Sequence, residues 1–184
     1  MTPRGFFVEI GAANFDTLMP LVKNGWNGII VEPVPGLAAS LRDAAKGLPV
    51  EIIEAAVSDL NGEVEMMIAS GDDWVRGISH VVSNNHLGAR LSDNPDNTRH
   101  FSDRITVKAM TLDTLLRETN SAIDFMKIDV EGHELNILQN YSWRIKPKTI
   151  KVEHKHVDDE ALVRLLEAQD YMVWREVDDL YAVC

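Results

Sequence analysis

At 184 residues, 45% of them apolar and 26% charged, the chain is long enough for one domain with a full core and too short for two ordinary ones. A formal charge of -11 argues against a nucleic-acid partner, because each phosphate contact needs a lysine or arginine. No window approaches the roughly 18 uninterrupted apolar residues of a membrane span, so no membrane partner is expected either. Glu9 breaks the one apolar run near the start, so no signal peptide is expected. The single cysteine, Cys184, excludes an internal disulfide framework, and a reducing, cytoplasmic location is the expectation.

Phe6 to Ile10 (FFVEI) is a short apolar run with one carboxylate near its end, the form of a strand buried on both faces. Gly11 then lets the backbone turn sharply and lie close to a ligand. Asp16 or Thr17 is expected to cap a helix with Leu18, Leu21 and Val22 as its buried stripe and Gly25 as its stop. Ligands of open α/β sheets sit beyond the carboxyl ends of the strands, which makes this strand-turn-helix unit the candidate site by position. Gly28 to Pro33 (GIIVEP) is a second β-branched run ending in a carboxylate, Glu32. Pro35 opens the next helix, with Leu37, Ala38, Leu41, Ala44 and Ala45 on one face and Gly47 at its close. Val50 to Val57 (VEIIEAAV) reads as a third strand, and the alternation of elements predicts parallel strands joined by right-handed crossovers.

The pattern then changes. Asn61-Gly62 signals a turn, and Glu63 to Ala69 reads as a hairpin arm. Residues from about 70 to 104, rich in Gly, Asn, Asp, Ser and His, are expected to form a substrate or lid insertion within the single domain, carrying Trp74, Arg76, His80, His86 and His100. Order returns with a strand at Ile105 to Met110 and a helix capped by Thr111 that runs to Thr119. Asp124 to Val130 (DFMKIDV) alternates, with Met126, Ile128 and Val130 on one face and Lys127 and Asp129 on the other. A helix starts near Gly132, a strand covers Thr149 to His156, and an amphipathic helix covers Asp158 to Gln169. Tyr171 to Val177 and Leu180 to Cys184 form an antiparallel hairpin around Asp178-Asp179.

Glu9 and Glu32 stand at the ends of the first two strands. An acidic residue about 20 positions after a glycine turn grips a ribose diol in dinucleotide-binding folds. The G-x-G-x-x-G turn that holds a pyrophosphate is absent, however, and Glu9 would repel a diphosphate while attracting an ammonium group. The ligand that fits both carboxylates is an adenosine joined to a cation, S-adenosylmethionine. The structural alternative is that both carboxylates only cap helix N-termini. Lys127 and Glu153 are expected on neighbouring strands as a buried ion pair. Asp129, Glu131, His133, His154 and His156 are expected to gather at the carboxyl edge of the sheet, where such groups suit a general base or a divalent metal. Their spacing matches no recognised metal signature, so a metal is not favoured and no metal ligand is assigned.

These motifs carry a resemblance. VEIGAANFDT (Val8 to Thr17), VEPVPG (Val31 to Gly36), EAAVSDLNG (Glu54 to Gly62), MTLDTLL (Met110 to Leu116), FMKIDVEGHELNIL (Phe125 to Leu138) and KVEHKH (Lys151 to His156) follow one another as in the FkbM family of class I S-adenosylmethionine-dependent methyltransferases, which the chain resembles over nearly its whole length. The resemblance implies a three-layer, Rossmann-like α/β fold with a mostly parallel seven-stranded sheet in the order 3-2-1-4-5-7-6, closed by the antiparallel hairpin. It implies that Glu9 and Gly11 frame the methionine part of S-adenosylmethionine, that Glu32 holds the ribose hydroxyls, and that Ala56 and Asp59 lie near the adenine. Asp129 would face the methyl group and substrate, with His154 or His133 helping to orient or deprotonate a hydroxyl of a sugar, glycan or small natural product. The family's turn has a second glycine where Phe15 stands and an asparagine where Ala13 stands, and a displaced Asn14 is expected to take over the polar role. A non-catalytic adenosyl-binding module and a nucleotide-dependent oxidoreductase are the competing readings. Because the chain starts at its first strand, it is expected to lack a covering N-terminal segment, and a second subunit, in a homodimer, is expected to supply that cover.

Overall fold

The computed structural model describes residues 4–13, 17–69, 79–82 and 101–184. Asn14, Phe15, Asp16, Trp74, Arg76, His86 and His100 lie outside the described residues, as do the side chain of His80 and most of the expected insertion.

In chain order the elements are β1 (Phe6–Ile10), α1 (Met19–Lys23), β2 (Asn27–Val31), α2 (Pro35–Ala44), β3 (Val50–Ile53), β4 (Ala56–Val57), β5 (Gly62–Ala69), β6 (His80–Val81) and β7 (Phe101–Met110). They are followed by α3 (Leu112–Leu115), β8 (Phe125–Ile128), α4 (Glu134–Gln139), β9 (Thr149–Glu153), α5 (Asp159–Glu167), β10 (Met172–Glu176) and β11 (Asp179–Val183). Seven strands form one sheet in the order β3-β2-β1-β8-β9-β11-β10. Its strands are parallel except β11, which runs antiparallel to both neighbours. The numbering departs in detail from the expected 3-2-1-4-5-7-6 because four further strands intervene, forming a second sheet in the order β4-β7-β5-β6.

That second sheet corrects the reading of the third strand. Residues 50–57 are not one strand: β3 stops at Ile53, and Ala56–Val57 leaves to pair with Ala109–Met110 of β7. The arm at β5 pairs antiparallel with β7, which begins four residues before the expected Ile105.

One face of the main sheet packs Val8, Ile10, Met126, Ile128, Ile150 and Val152 against apolar residues of α3, α4 and α5, including Leu112, Ile137 and Leu162. The other face packs Phe7 and Ile30 against Met19 and Val22 of α1 and Leu41 of α2. The sheet is therefore covered on both sides, which is why its central strands read as continuous apolar runs. Phe7 is fitted by a glycine: a Cβ on Gly28 would stand 2.5 Å from the Phe7 ring.

Helix boundaries follow local chemistry where a side chain can reach. Thr111 Oγ1 accepts the Thr114 N–H at 3.2 Å and Asp158 Oδ1 accepts the Ala161 N–H at 3.0 Å, each satisfying a donor that the first helical turn leaves open. The helix after Thr111 is shorter than expected, ending at Leu115. The terminal hairpin turns at Val177-Asp178, one residue before the expected pair, with Val177 at φ 54. Among the described residues, no helix is long and apolar enough to cross a membrane.

Candidate active site

The carboxyl ends of β1, β2 and β8 meet at one edge of the sheet. Glu9, next to last in β1, lies opposite Ile30 of β2 and Lys127 of β8. Its side chain is fully buried. Both carboxylate oxygens accept the Leu18 N–H, at 2.9 and 3.1 Å, and Oε2 also accepts the Thr17 hydroxyl at 2.8 Å. Glu9 therefore caps α1, and Thr17 adds a longer contact, its hydroxyl oxygen accepting the Met19 N–H at 3.4 Å. The ammonium group that Glu9 meets in the fold is Lys127 Nζ, 3.7 Å from Oε1.

Gly11 turns the chain with φ +77, a conformation in which a side chain is strained. The close approach it permits is to the chain itself, since a Cβ would stand 1.7 Å from the carbonyl oxygen of Asp129. The Asp129 N–H donates to the Ile10 carbonyl at 2.9 Å, so the turn after β1 and the end of β8 are locked together. Asp129 is the residue this lock presents at the crevice: its side chain is 30% exposed, with Oδ2 3.6 Å from Lys127 Nζ. Lys127 thus stands between Glu9 and Asp129, and the expected pairing of Lys127 with Glu153 is replaced by these two.

Glu32 follows β2, and its backbone N–H donates to Ile53. Oε1 accepts the Val34 N–H at 2.8 Å, at the start of α2, and Oε2 accepts the Ala13 N–H at 3.0 Å, in the turn after β1. One carboxylate so joins the turns that follow both strands. Burial pushes its pKa up, against the pull of these backbone donors.

Beyond β8 the chain reverses through Glu131 at φ 57 and Gly132 at φ 105. Glu134, wholly buried, accepts the Val130 N–H at 2.8 Å and the Gly132 N–H at 3.0 Å, and so holds this reversal shut. Burial pushes its pKa up to about 7. Of the five residues expected to cluster here, two stay together and His133 turns to other partners. Glu131 meets His156, Oε2 to Nε2 3.5 Å, and the third member of the group is Glu153. Burial and the charges of Asp129 and Glu134 raise Glu131 to about 8, and burial with Glu131, Asp129 and Glu134 raises Glu153 to about 9. His133 instead joins Asp59 at 3.3 Å and Ser58 at 3.2 Å. With the Ser58 hydroxyl donating to Asp59 at 2.9 Å, Nε2–H of His133 is a donor to both oxygens, and burial lowers the pKa of its ring against the opposing pull of Asp59. Through Nε2 the ring thus anchors the loop after β4. His154 follows β9, and its Nε2 is buried with no hydrogen-bond partner among the described residues.

Of the remaining expected cofactor contacts, Asp59 is exposed at the Ser58–His133 junction, and Ala56 is buried with Met66 and Val107 in the core of the second sheet. Asn14 lies outside the described residues. Sequence reasoning gave Glu153 a different partner and passed over Glu134, whose acidic side chain in the first turn of a helix, four residues after Val130, was the available signal.

A doubly covered, mainly parallel sheet with a glycine turn after its first strand and a carboxylate after its second is the framework of a nucleotide-type ligand site. A family model described as the methyltransferase FkbM domain matches residues 9–173, and the chain belongs to that family. Among solved structures, the precorrin-6y C5,15-methyltransferase of Geobacter metallireducens GS-15 is similar, with a TM-score of 0.48 and 13% identity over 100% of this chain and 80% of that one. No curated protein matched the chain.

Proposed function

We propose that the chain transfers a methyl group from S-adenosylmethionine to a hydroxyl of a sugar or small natural product. The observation that carries this reading is Glu32. Its carboxylate accepts the Val34 and Ala13 N–H groups and also feels the Ala12 N–H, so it is fixed at the turn after β1, and it has acceptor capacity beyond these for a ribose hydroxyl. It stands after β2, next to the strand that Gly11 follows, and that is where an adenosyl ribose is held in folds of this type. Family membership supplies the methyl-transfer chemistry.

S-adenosylmethionine brings a sulfonium whose methyl group leaves by in-line displacement. The chain's task is alignment, which in ideal intramolecular cases is worth about 7–11 kcal/mol. Asp129, partly exposed and braced by Lys127, orients or deprotonates the acceptor hydroxyl; such general-base help contributes about 100-fold to 10,000-fold. His154 is the second candidate, its Nε2 unengaged among the described residues. Glu9 acts from behind, fixing Lys127 and the start of α1.

Calorimetry with S-adenosylhomocysteine, followed by mass spectrometry on a panel of hydroxylated acceptors, tests the reading. Glu32→Gln should weaken binding at least about ten-fold, with some loss of melting temperature because an amide nitrogen cannot accept the second backbone N–H, and Asp129→Asn should bind normally but lose turnover. Absence of any adenosyl binding by the folded wild type would end the proposal. Binding without turnover on any acceptor would leave an adenosyl-binding module, and fluorescence quenching of reduced nicotinamide would signal an oxidoreductase.

A further inference from the structure

Glu131, Glu153 and His156 converge beyond the ends of β8 and β9, with one donor atom from each lying within 4.8 Å of the others. We propose that these three side chains bind a divalent first-row cation of the manganese or zinc type. Two carboxylates and one imidazole form a mixed oxygen and nitrogen donor set suited to that class. The spacing is compatible with direct ligation: across the 3.5 Å between His156 Nε2 and Glu131 Oε2, two metal–ligand bonds of about 2.1 Å would meet at about 110°.

An independent observation points the same way. Glu153 Oε2 is buried and meets no hydrogen-bond partner among the described residues, whereas buried polar atoms as a rule have one. Charge adds to the argument. Asp129 and Glu134 both act on Glu131 and Glu153, and the opposing charge acting on these two glutamates is Lys155. Lys155 is itself drawn to Asp178, 3.5 Å away. Carboxyl groups crowded in a partly buried pocket hold their protons against one another, and a divalent ion that displaced those protons would relieve the crowding. The three ligands are also held by the fold. Glu153 closes β9, opposite Asp179 of β11, and a Cβ on Gly132 would stand 3.3 Å from the Cβ of His156, so the reversal after β8 packs against the third ligand.

The site stands independently of the methyl-transfer reading, and its test uses neither cofactor nor acceptor. The full chain, freed of metal with a chelator, is titrated with Mn2+ by calorimetry and by the loss of the free-ion electron paramagnetic resonance signal. Saturable binding of one ion is expected, weakened at least ten-fold in Glu131→Gln, Glu153→Gln and His156→Ala and unchanged in Glu65→Gln, which alters an exposed carboxylate paired with Arg104. Should a variant fail to fold, Co2+ added to the unsubstituted chain keeps the test open: it should shift the ring protons of His156 far more than those of His133. Wild-type protein that is folded but takes up no ion, ion binding that all three variants retain, or Co2+ shifts centred on another histidine would overturn the proposal.

Discussion

Replacing Gly11 with alanine probes the contact that joins the first turn to the end of β8. Two costs add. An L-residue held at φ +77 is disfavoured by about 1–2 kcal/mol. The new methyl would then stand 1.7 Å from the Asp129 carbonyl oxygen, and because that neighbour is main chain directly after the adjoining strand, it cannot rotate away. Forced overpacking costs about 1–3 kcal/mol, and this geometry belongs at the upper end. The sum is about 3–5 kcal/mol, or about 6–20 °C in melting temperature for a domain of this size. Two other glycines separate the terms. Gly47 has φ +78 with nothing within 4 Å of an added Cβ, so Gly47→Ala carries the first cost alone. Gly36, in the exposed first turn of α2, has no positive φ and no close neighbour, and Gly36→Ala should stabilise by about 0.5–1 kcal/mol. Urea denaturation of the three variants provides the comparison. If Gly11→Ala lost no more stability than Gly47→Ala, the claim that Asp129 fills the space beside Gly11 would be wrong.

Other outcomes follow from the same structure. Removing the Glu9 charge in Glu9→Ala leaves the buried Lys127 without its innermost partner and α1 without its cap, a loss of about 3–5 kcal/mol. In a double-mutant cycle of Glu9→Gln with Lys127→Met, the paired change should cost less than the sum of the two, and strict additivity would show that the ions are not coupled. Asp158→Ala should lower stability by about 1 kcal/mol through loss of the bond to Ala161, with Asp158→Ser recovering most of it; equal urea midpoints for all three proteins would contradict the cap. Glu134 has a folded-state pKa of about 7, above its unfolded value, so its contribution is full below about pH 4.5 and is lost as pH rises through about 7. Metal-free Glu134→Gln should therefore show a shallower fall in urea midpoint across that window, and a curve parallel to wild type would refute the assignment.

The features legible in the sequence were those that a short segment decides. β1 matches the expected Phe6–Ile10 because five residues buried on both faces leave a run that turn residues bracket. Thr111 was identifiable as a cap because a cap acts across three residues. Helix α1 shows the limit of this: beside the contact from Thr17 to Met19 that a local reading anticipates, the Leu18 N–H is held by Glu9, nine residues back and on a strand. The break after Ile53 was equally hidden, since Ala56 and Val57 continue a β-compatible run, and only their pairing with β7 diverts them. At the site, strand-end positions were read correctly for Glu9 and Glu32, while the direction of side chains after β8 was not. Positive φ at Glu131 and Gly132 turns the chain so that neighbours in sequence, Glu131 and His133, face different partners. Such a turn has no strict signature when one of its left-handed residues is a glutamate.

The reversed strand β11 lies between β9 and β10 although it follows both in the chain. Residues 172–176 consequently pair only with 179–183, so β10 is tied to the sheet through β11 alone. The same dependence governs loosening: stripping β11 away would release β10 with it, and amide protons of the two strands should exchange together as one cooperative unit.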